Sequence, residues 1–391
     1  VANTYGINSA SVHLCAESIK EINEGKNKED LSCQQRSFVP PSGNTTLIVN
    51  IRFLLKRFSL NTATEVFTTQ SWMFISWTDE RLKWDPDKYY GIKSTHMLSI
   101  HMWTPGFRLF NSADSYDFDG FYYVWCVVKN TGYVQCVVRI THNAICNIKL
   151  TNWPYDEQEC TMDFGPWSTL SNKFTMNFTS PAMNINGARN EAKWFIADYR
   201  QEANHSSERQ LKMIFLLERE AEGLAAIVVY PAVILTVLSV TSLFLDVRRF
   251  LRLSIACFSV FGHYYFLTEL AANIPRKNSH APNLLFYYRG SLVLTVLIIL
   301  VSFLLRIISK LKSTPQNYII TMNNAVLESY GKYFIIPLWN VEDDTIDIKR
   351  FSQDWTKFAN IMNSIFGIII IIAYVSMYCA LVPKPIPIKI Y

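Results

Sequence analysis

The stretch that decides the fold is CNIKLTNWPYDEQEC, residues 146–160, in which two cysteines enclose thirteen residues. Its centre reads Trp153-Pro154-Tyr155-Asp156, which places an aromatic residue, a proline, an aromatic residue and an acid at a turn. A bond between Cys146 and Cys160 would close the segment into a loop. The sequence on either side shows which kind of protein would need such a loop.

The composition points to a chain with both water-facing and membrane-embedded parts. Its 391 residues are 50% hydrophobic and 18% charged, which exceeds one small domain. The chain is polar, aromatic and turn-rich up to Glu222. Three later runs, Gly223–Leu245, Leu284–Leu305 and Phe358–Val382, exceed the ~20 helical residues that cross a bilayer. We therefore expect membrane-spanning helices after an amino-terminal domain.

A fourth run, Leu253–Ile274, is long enough to span but less apolar. It carries Ser254, Ser259, His263, Tyr264, Tyr265, Thr268 and Glu269. A lipid-facing acid at the centre of a span costs roughly 2.5–3.5 kcal/mol, so this helix should face protein or water. Either neighbouring helices simply shield these residues, or they are functional, as ionisable groups inside membranes usually are.

Several signals orient the chain in the plasma membrane. Because the sequence begins at Val1 without a methionine, we expect a mature form whose signal peptide was removed. Three glycosylation sequons, at Asn44, Asn177 and Asn204, all precede the first apolar run. Basic residues after the first and third spans indicate cytoplasmic segments, although those near Pro275 and in the carboxyl-terminal tail oppose this. We predict a multi-pass protein with both termini outside.

The predicted domain organisation has four parts. Residues 1–222 form an extracellular ligand-binding domain, and residues 223–305 hold the first three spans. Residues 306–357 form a short cytoplasmic segment with a helix, and residues 358–391 hold the last span and an extracellular tail. The stretch from Asp347 to Gly367 has helical spacing of apolar residues and is expected to continue into the last span as one helix.

Six of the eight cysteines lie in the extracellular part, where an oxidising compartment favours disulfides. They are Cys15, Cys33, Cys126, Cys136, Cys146 and Cys160. Six cysteines allow 15 pairings, and the sequence alone does not choose among them. The spacing favours Cys126 with Cys136 across a hairpin turn at Asn130-Thr131-Gly132. That pairing would leave Cys146 with Cys160, and Cys15 with Cys33 beside a short helix over residues 9–23.

The extracellular part otherwise has the pattern of strands. Segments such as TLIVNIRFLLKRFSL (46–60) and TEVFTTQSWMFISWTD (64–79) are rich in β-branched and aromatic residues and alternate in polarity. We predict an immunoglobulin-like sandwich of about ten strands behind one short helix. The fold class is therefore mixed: an extracellular all-β sandwich followed by a four-helix transmembrane bundle.

Other functional classes find no support in the sequence. It contains no glycine-rich phosphate loop, zinc-protease helix motif or nucleophile elbow, so we expect no enzyme. No cysteine pair has zinc-finger spacing, and we expect neither a cofactor nor a metal site. A net charge of +5 is small for this length and predicts no nucleic-acid partner.

Taken together, the closed loop, the β-rich domain and the four spans resemble the Cys-loop receptors, the pentameric ligand-gated ion channels. Other motifs agree in order. SWMFISWTDERLKW (71–84) is similar to a strand and turn of the nicotinic branch, and WTPGFRLFNSAD (103–114) and FGPWS (164–168) are similar to its first two principal-face loops. The resemblance covers nearly the whole chain. It implies identical or homologous subunits in a pentamer, a small-molecule agonist and contact with membrane lipid.

The resemblance gives the opening loop a mechanical role. It implies that Trp153, Pro154 and Tyr155 press on the link between the second and third spans, which contains Pro275. It also implies an ion pair between Asp156 and Arg219; the alternative is that Asp156 is a solvated turn residue. The disulfide would fix the loop so that motion of the sandwich reaches the helices.

The resemblance also implies a ligand site between subunits. Trp72, Phe110, Trp167 and Tyr199 would form an aromatic box of the kind that holds a cationic amine. On the neighbouring subunit, Val134, Cys136 and Val138 would line the opposite side. Phe110 replaces the usual tyrosine, and the segment from Tyr199 to Leu211 lacks the vicinal cysteines of the branch, which puts acetylcholine in doubt. Alternatively, Trp72 and Trp167 are core tryptophans.

The second span would line the pore. The resemblance implies that one helical stripe faces the axis. The stripe consists of Leu251, Ser254, Phe258, Phe261, Tyr265, Thr268, Glu269 and Ala272. Rings of Phe258 and Phe261 from five copies could stop ions by dewetting, although an aromatic stripe is also typical of a protein core. Leu251 and Arg252 replace an acidic inner mouth, and the nicotinic-like outer motifs favour cations.

Two other interpretations remain open. The chain could be a ligand-binding or assembly subunit that conducts only with a partner, which the bulky pore stripe permits. It could also be an adhesion receptor that is not a channel, against which the polar fourth run argues.

Overall fold

A computed structural model describes residues 41, 46–114, 123–166, 174–189, 191–203, 211–274, 281–311, 313–328, 333, 335 and 350–385. Several sequence-based predictions lie outside the described residues. They concern the amino-terminal helix, Cys15, Cys33, Asn44, Trp167, Asn204 and Pro275.

Ten strands form two sheets in the described part of the extracellular region. The strands are β1 (Leu47–Asn61), β2 (Val66–Lys83), β3 (Ser94–Leu98), β4 (Phe107–Leu109), β5 (Trp125–Lys129), β6 (Thr131–Ile145), β7 (Glu157–Pro166), β8 (Phe174–Asn184), β9 (Trp194–Ala203) and β10 (Leu211–Arg219). The six-stranded sheet has the order β3-β5-β6-β2-β1-β8, and the four-stranded sheet has the order β4-β7-β10-β9. The sandwich predicted from the sequence is confirmed.

Aromatic residues form the core between the two sheets. The Phe53 ring of β1 lies 5.4 Å from the Phe164 ring of β7, and the Phe67 ring of β2 lies 5.2 Å from the Phe215 ring of β10. Residues of β1 and β2 alternate between buried and more exposed positions, as successive strand side chains point to opposite faces. Each of these strands therefore has one face in the core and one face outward.

Two disulfides close the predicted segments. Cys126 is bonded to Cys136 across the β5–β6 hairpin, and Cys146 is bonded to Cys160 around the opening loop. Gly132 sits at the hairpin with φ 81°, where a side chain would collide with the Asp79 carbonyl. Only glycine takes this conformation without strain, so the turn predicted from Asn130-Thr131-Gly132 is confirmed.

Five helices occur in the described part of the second half. They are α1 (Glu222–Leu243), α2 (Phe250–Asn273), α3 (Asn283–Ser309), α4 (Asn317–Glu328) and α5 (Arg350–Leu381). All but α4 are long and apolar enough to cross a membrane. As predicted, α5 is one helix that begins ahead of the apolar run. The sequence analysis did not predict α4, which packs on α5 with Asn323 donating a hydrogen bond to the Asp354 carbonyl at 3.0 Å.

The helices share a core that is apolar with a hydroxyl cluster inside it. Leu243, Ala256, Ile298 and Ile370 form one buried group together with Tyr374. A second group is polar: Ser239 lies 2.7 Å from Ser259 and 3.1 Å from Thr295, oxygen to oxygen. Small hydroxyl residues let helix backbones approach closely in a membrane, which explains their place at the centre of the bundle.

The chain divides into two compact units. The first comprises residues 1–148 and 157–218, and the second comprises residues 149–156 and 219–391. The tip of the opening loop therefore groups with the helices, whereas both cysteines that close the loop belong to the sandwich.

Candidate functional site

Trp72 lies on the outward face of the six-stranded sheet. Its neighbours Ser71 and Met73 are buried, so the alternation of β2 turns the half-buried Trp72 ring outward. The Lys56 ammonium lies 4.8 Å from the ring centroid, and the Arg139 guanidinium carbon lies 5.5 Å from it. Trp72 is therefore a surface ring already in contact with two cations of its own chain, and not a core tryptophan.

Phe74 repeats this arrangement one step along the same face. The Arg52 guanidinium carbon lies 4.9 Å from the Phe74 ring centroid. Both residues border a cavity of about 180 Å³. The cavity is lined by Asn50, Ile51, Arg52, Phe74, Ile75, Ser76, Gln135 and Thr179. Side chains able to donate hydrogen bonds therefore surround a small space beside a guanidinium group.

The predicted lining by Val134, Cys136 and Val138 is wrong. These three side chains are buried, with exposed fractions of 0%, 0% and 3%, because they point into the sandwich. The outward residues of the strand are the alternate ones, Gln135, Val137 and Arg139. The signal was present in the sequence, since Cys136 bonds to Cys126 in the core and thereby fixes which residues face inward.

Phe110 and Tyr199 belong to elements of the other sheet. Phe110 directly follows β4, where its side chain is half-buried and its amide donates to the Asp163 carbonyl at 2.8 Å. The Tyr199 ring lies 5.1 Å from that of Phe215.

The Tyr199 hydroxyl is already engaged within the chain. It accepts a hydrogen bond from the Met183 amide at 3.3 Å and donates to Gln201 Oε1 at 3.3 Å. Burial raises the pKa of Tyr199 to about 12. The described ligand candidates are thus divided between two sheets, with Trp72 on one and Phe110 and Tyr199 on the other.

The ion pair expected at the opening loop is present. Arg219 Nε donates to Asp156 Oδ1 at 2.6 Å, and Arg219 Nη2 donates to Asp156 Oδ2 at 3.1 Å. Only 9% of the arginine side chain and 1% of the aspartate side chain are exposed. Asp156 is therefore not a solvated turn residue, and the pair ties the loop to the strand that leads into α1.

The loop also meets the helices through its backbone and its aromatic residues. The Asn283 amide at the start of α3 donates to the Thr151 carbonyl at 3.0 Å. Trp153 and Pro154 are buried. Burial raises the pKa of Tyr155, and the charges of Tyr230 and Glu222 in α1 raise it further. The loop tip is therefore in direct contact with the start of α3.

All eight residues of the stripe on α2 are exposed. Phe258 and Phe261 have exposed fractions of 69% and 74%. The opposite side of the helix is packed: Ser259 and His263 are fully buried, and His263 Nδ1 lies 2.7 Å from the Ser259 carbonyl while Nε2 lies 2.5 Å from Ser291 Oγ. The stripe is therefore a long face of α2 that the described part of the chain leaves uncovered.

Arg252 does not share this face. Its side chain is 1% exposed, with Nε donating to Ser302 Oγ at 3.0 Å and Nη1 donating to the Leu245 carbonyl at 3.4 Å. Leu251 beside it is 54% exposed. The sequence analysis counted Arg252 as part of a basic inner mouth, but the arginine faces the bundle, because adjacent helical residues point about 100° apart.

The similarity of this chain to known proteins identifies its family. The sequence model of one family, described as "Neurotransmitter-gated ion-channel ligand binding domain", matches residues 28–221. The chain belongs to the Cys-loop receptors, in their nicotinic branch. This family consists of ligand-gated ion channels and not of enzymes.

Individual relatives of the receptor agree with this assignment. This chain is 25% identical over 271 residues to neuronal acetylcholine receptor subunit beta-2 of Carassius auratus, and the match covers 68% of this chain and 59% of the relative. It is 31% identical over 163 residues to acetylcholine receptor subunit alpha-like 2 of Drosophila melanogaster, covering 40% of this chain and 27% of the relative. The matches therefore span less than two thirds of the relatives' length.

One of the three predicted glycosylation sites lies in the part of the chain that the structure describes. Asn177 is exposed on β8, the edge strand of the six-stranded sheet, and its Nδ2 donates to Asn50 Oδ1 at 2.8 Å. Asn50 also lines the cavity beside Arg52. A glycan on Asn177 would stand next to that cavity.

Proposed function

We propose that this chain is a subunit of a pentameric ligand-gated ion channel of the plasma membrane. A small molecule would bind outside the membrane between neighbouring subunits and open a central pore. The family match to a ligand-binding domain and the four candidate spans support this proposal. Both termini would lie outside, which fits an even number of spans after an extracellular domain.

The observation that carries the proposal is the uncovered stripe of α2. On α1 most of the exposed large side chains are apolar, for example Ile227, Ile234 and Val237, which suits contact with lipid. The stripe of α2 instead includes the polar side chains of Ser254, Tyr265 and Thr268. Polar side chains within a membrane usually face protein or a water-filled cavity, so this face needs water or protein. A pore between five copies supplies water.

The division of ligand candidates between two sheets supports a site shared by two copies. Phe110 follows a strand of the four-stranded sheet and Tyr199 lies on another strand of it, whereas Trp72 lies on the six-stranded sheet. A binding site that uses both sets would take one set from each of two neighbouring subunits. Association would then be required for binding.

Coupling between binding and opening would run through the loop tip. The Asp156–Arg219 pair holds the tip to the strand before α1, and the Thr151–Asn283 hydrogen bond holds it to the start of α3. A displacement of the tip would thus reach the helices on both sides of α2. Ligand binding would shift the closed-to-open equilibrium by its differential affinity for the two states.

The test is voltage-clamp recording from cells that express the full chain at the surface, with Phe258→Ala and Phe261→Ala variants. Removing either of the phenylalanine rings proposed to stop ions should produce leak current or a shift of at least about tenfold in agonist sensitivity, which corresponds to ~1.4 kcal/mol. Phe303→Ala is the matched control, because Phe303 is a 54% exposed ring on α3. Unchanged currents in both stripe variants would contradict the pore assignment.

A subunit that conducts only with a partner is the second candidate. The bulky Phe258 and Phe261 rings favour it, as does the absence of an acidic residue between Asp246 and Glu269. It predicts silence of the chain alone and current after co-expression with a related subunit.

A further inference from the structure

The charged residues on the outward face of the six-stranded sheet indicate which charge the ligand carries. This inference rests on the proposed function, since it concerns the same site. Three cations, Arg52, Lys56 and Arg139, lie over the outward rings Trp72 and Phe74. All three are exposed, and none forms an ion pair with a carboxylate in the described part of the chain. Their positive charge is therefore available to a ligand.

The same face lacks acidic residues. No Asp or Glu occurs in β1, in β6 or in β2 before Asp79. Lys129 extends the basic face, with its ammonium 5.3 Å from the Tyr133 ring centroid. The electrostatic potential around Trp72 is therefore set by cations within a Debye length of about 8 Å at physiological ionic strength.

This arrangement disfavours the cationic amine expected from the sequence. An aromatic ring attracts a cation through its negative face, but Trp72 already has two cations of its own chain in that role. A cationic ligand would have to approach against like charges. An anionic ligand would gain from the same charges, and a guanidinium group can bind a carboxylate through two parallel hydrogen bonds.

The cavity beside Arg52 provides room and further donors for such a group. Its volume is about 180 Å³, and Ser76, Gln135 and Asn50 lie in its wall with Arg52. We propose that this face binds a small carboxylate-bearing molecule, with the carboxylate at Arg52 in the cavity. Lys56 and Arg139 add the attractive potential, and Phe74 and Trp72 contact the apolar part of the ligand.

The first test measures the potential of the face without needing an agonist. In the full chain with Cys257→Ala and Cys379→Ala, a Ser76→Cys thiol is modified with an anionic and a cationic methanethiosulfonate of similar size. Relative to an exposed reference thiol, Ala63→Cys in the β1–β2 turn, we expect the anionic-to-cationic rate ratio at Ser76→Cys to be higher by about threefold or more. Arg52→Gln should lower that ratio.

A ratio at Ser76→Cys that is no higher than at Ala63→Cys would overturn the proposal. So would a ratio that Arg52→Gln leaves unchanged. Because Arg52 is exposed, this substitution is not expected to prevent folding.

The second test uses matched pairs of amino acids and the amines formed from them by loss of the carboxyl group. Histidine and histamine, tyrosine and tyramine, and glycine and methylamine are applied to the surface-expressed chain and, separately, to purified full-length protein in a thermal-shift assay. We expect a response to at least one carboxylate member that exceeds its amine by tenfold in potency and is lost in Arg52→Gln. Responses confined to the amines would overturn the proposal. Stabilisation by a carboxylate without any current would leave it standing while the channel function fails.

Discussion

The two sheets of the sandwich share one core but carry charge in opposite ways. The six strands of the larger sheet contain seven basic residues (Lys and Arg) and two acidic residues (Asp and Glu). The four strands of the smaller sheet contain four basic and six acidic residues. On the larger sheet, Lys56 and Arg139 rest on the ring of Trp72. At the smaller sheet, Arg219 is neutralised by the buried Asp156.

This comparison shows that the inward and outward faces of a strand are under different physical constraints. Inward residues such as Phe53 and Phe164 must fill the core, and they do so alike in both sheets. Outward residues are free of that demand, so their charge can serve assembly, ligand binding or coupling. The buried Asp156–Arg219 pair at the smaller sheet holds a structure together. On the larger sheet Asp79 and Glu80 pair with Arg81 and Lys83, while Arg52, Lys56 and Arg139 have no carboxylate partner in the described residues and are available to a ligand.

Removing the buried pair should have the largest effect. Arg219→Met removes one partner of this buried ion pair, which typically costs about 3–5 kcal/mol. We expect a lower thermal midpoint of the detergent-solubilised protein and reduced surface expression. Thermal unfolding at constant pH measures this cost.

Arg200→Met is the matched control for that prediction. Arg200 pairs with Asp198 on the same sheet, but both side chains are largely exposed, at 62% and 41%. Breaking an exposed pair costs at most about 1 kcal/mol. Equal destabilisation by the two substitutions would remove the distinction between buried and exposed charge.

A buried histidine should make the shared core sensitive to acid. His142 lies on β6 among Phe53, Phe107 and Phe164, and burial lowers the pKa of its imidazole to about 4 from an ordinary 6.5. The folded state therefore binds this proton less readily than the unfolded state. Stability from neutral His142 is complete above pH 6.5 and is lost as the pH falls through 4, by up to about 3 kcal/mol.

Thermal midpoints of the full chain between pH 7.5 and pH 4 measure this loss. His142→Phe should flatten the profile below pH 6.5, because phenylalanine keeps the ring contacts and binds no proton. His101→Phe, at an exposed position, should leave the slope unchanged. An unchanged slope in His142→Phe would show that other groups carry the acid sensitivity.

The stacked cations should contribute least to stability. Because Lys56 is exposed, its contact with Trp72 is expected to stabilise the fold by only about 0.5–1 kcal/mol. A double-mutant cycle of Lys56→Gln and Trp72→Leu, followed by thermal unfolding, isolates that interaction. A coupling energy above ~2 kcal/mol would mean that Lys56 is a structural residue and is not held available for a ligand.

Much of the fold could be read directly from local patterns. The hairpin disulfide followed from Asn130-Thr131-Gly132, and the spans followed from apolar runs, because both depend on residues close together in the chain. The short helix α4 was missed, because an isolated helix of 12 residues is only marginally stable and packing on α5 supplies the stability that the local sequence lacks.

The candidate site was predicted less completely. Trp72 and the stripe of α2 lie at the surface of the chain, as their predicted roles require, but Val134, Cys136 and Val138 were assigned to the outward face although they point into the core. A shift of one residue reverses every side chain of a strand, and only the pairing of β2 with β6 fixes it. The cations around Trp72 come from β1 and β6, so no single segment of sequence reveals them.

The sequence by itself determined the β-rich first half and the apolar spans, because each follows from spacing within one segment. The closed loop was favoured by cysteine spacing, and the stripe of α2 was expected from the family resemblance. Tertiary structure decided what the charges do. Pairing of distant strands brings Lys56 and Arg139 onto one ring and Arg52 onto another, and it leaves them without carboxylates in the described residues. Electrostatic potential depends on distances in space, and those are fixed only when the strands pair.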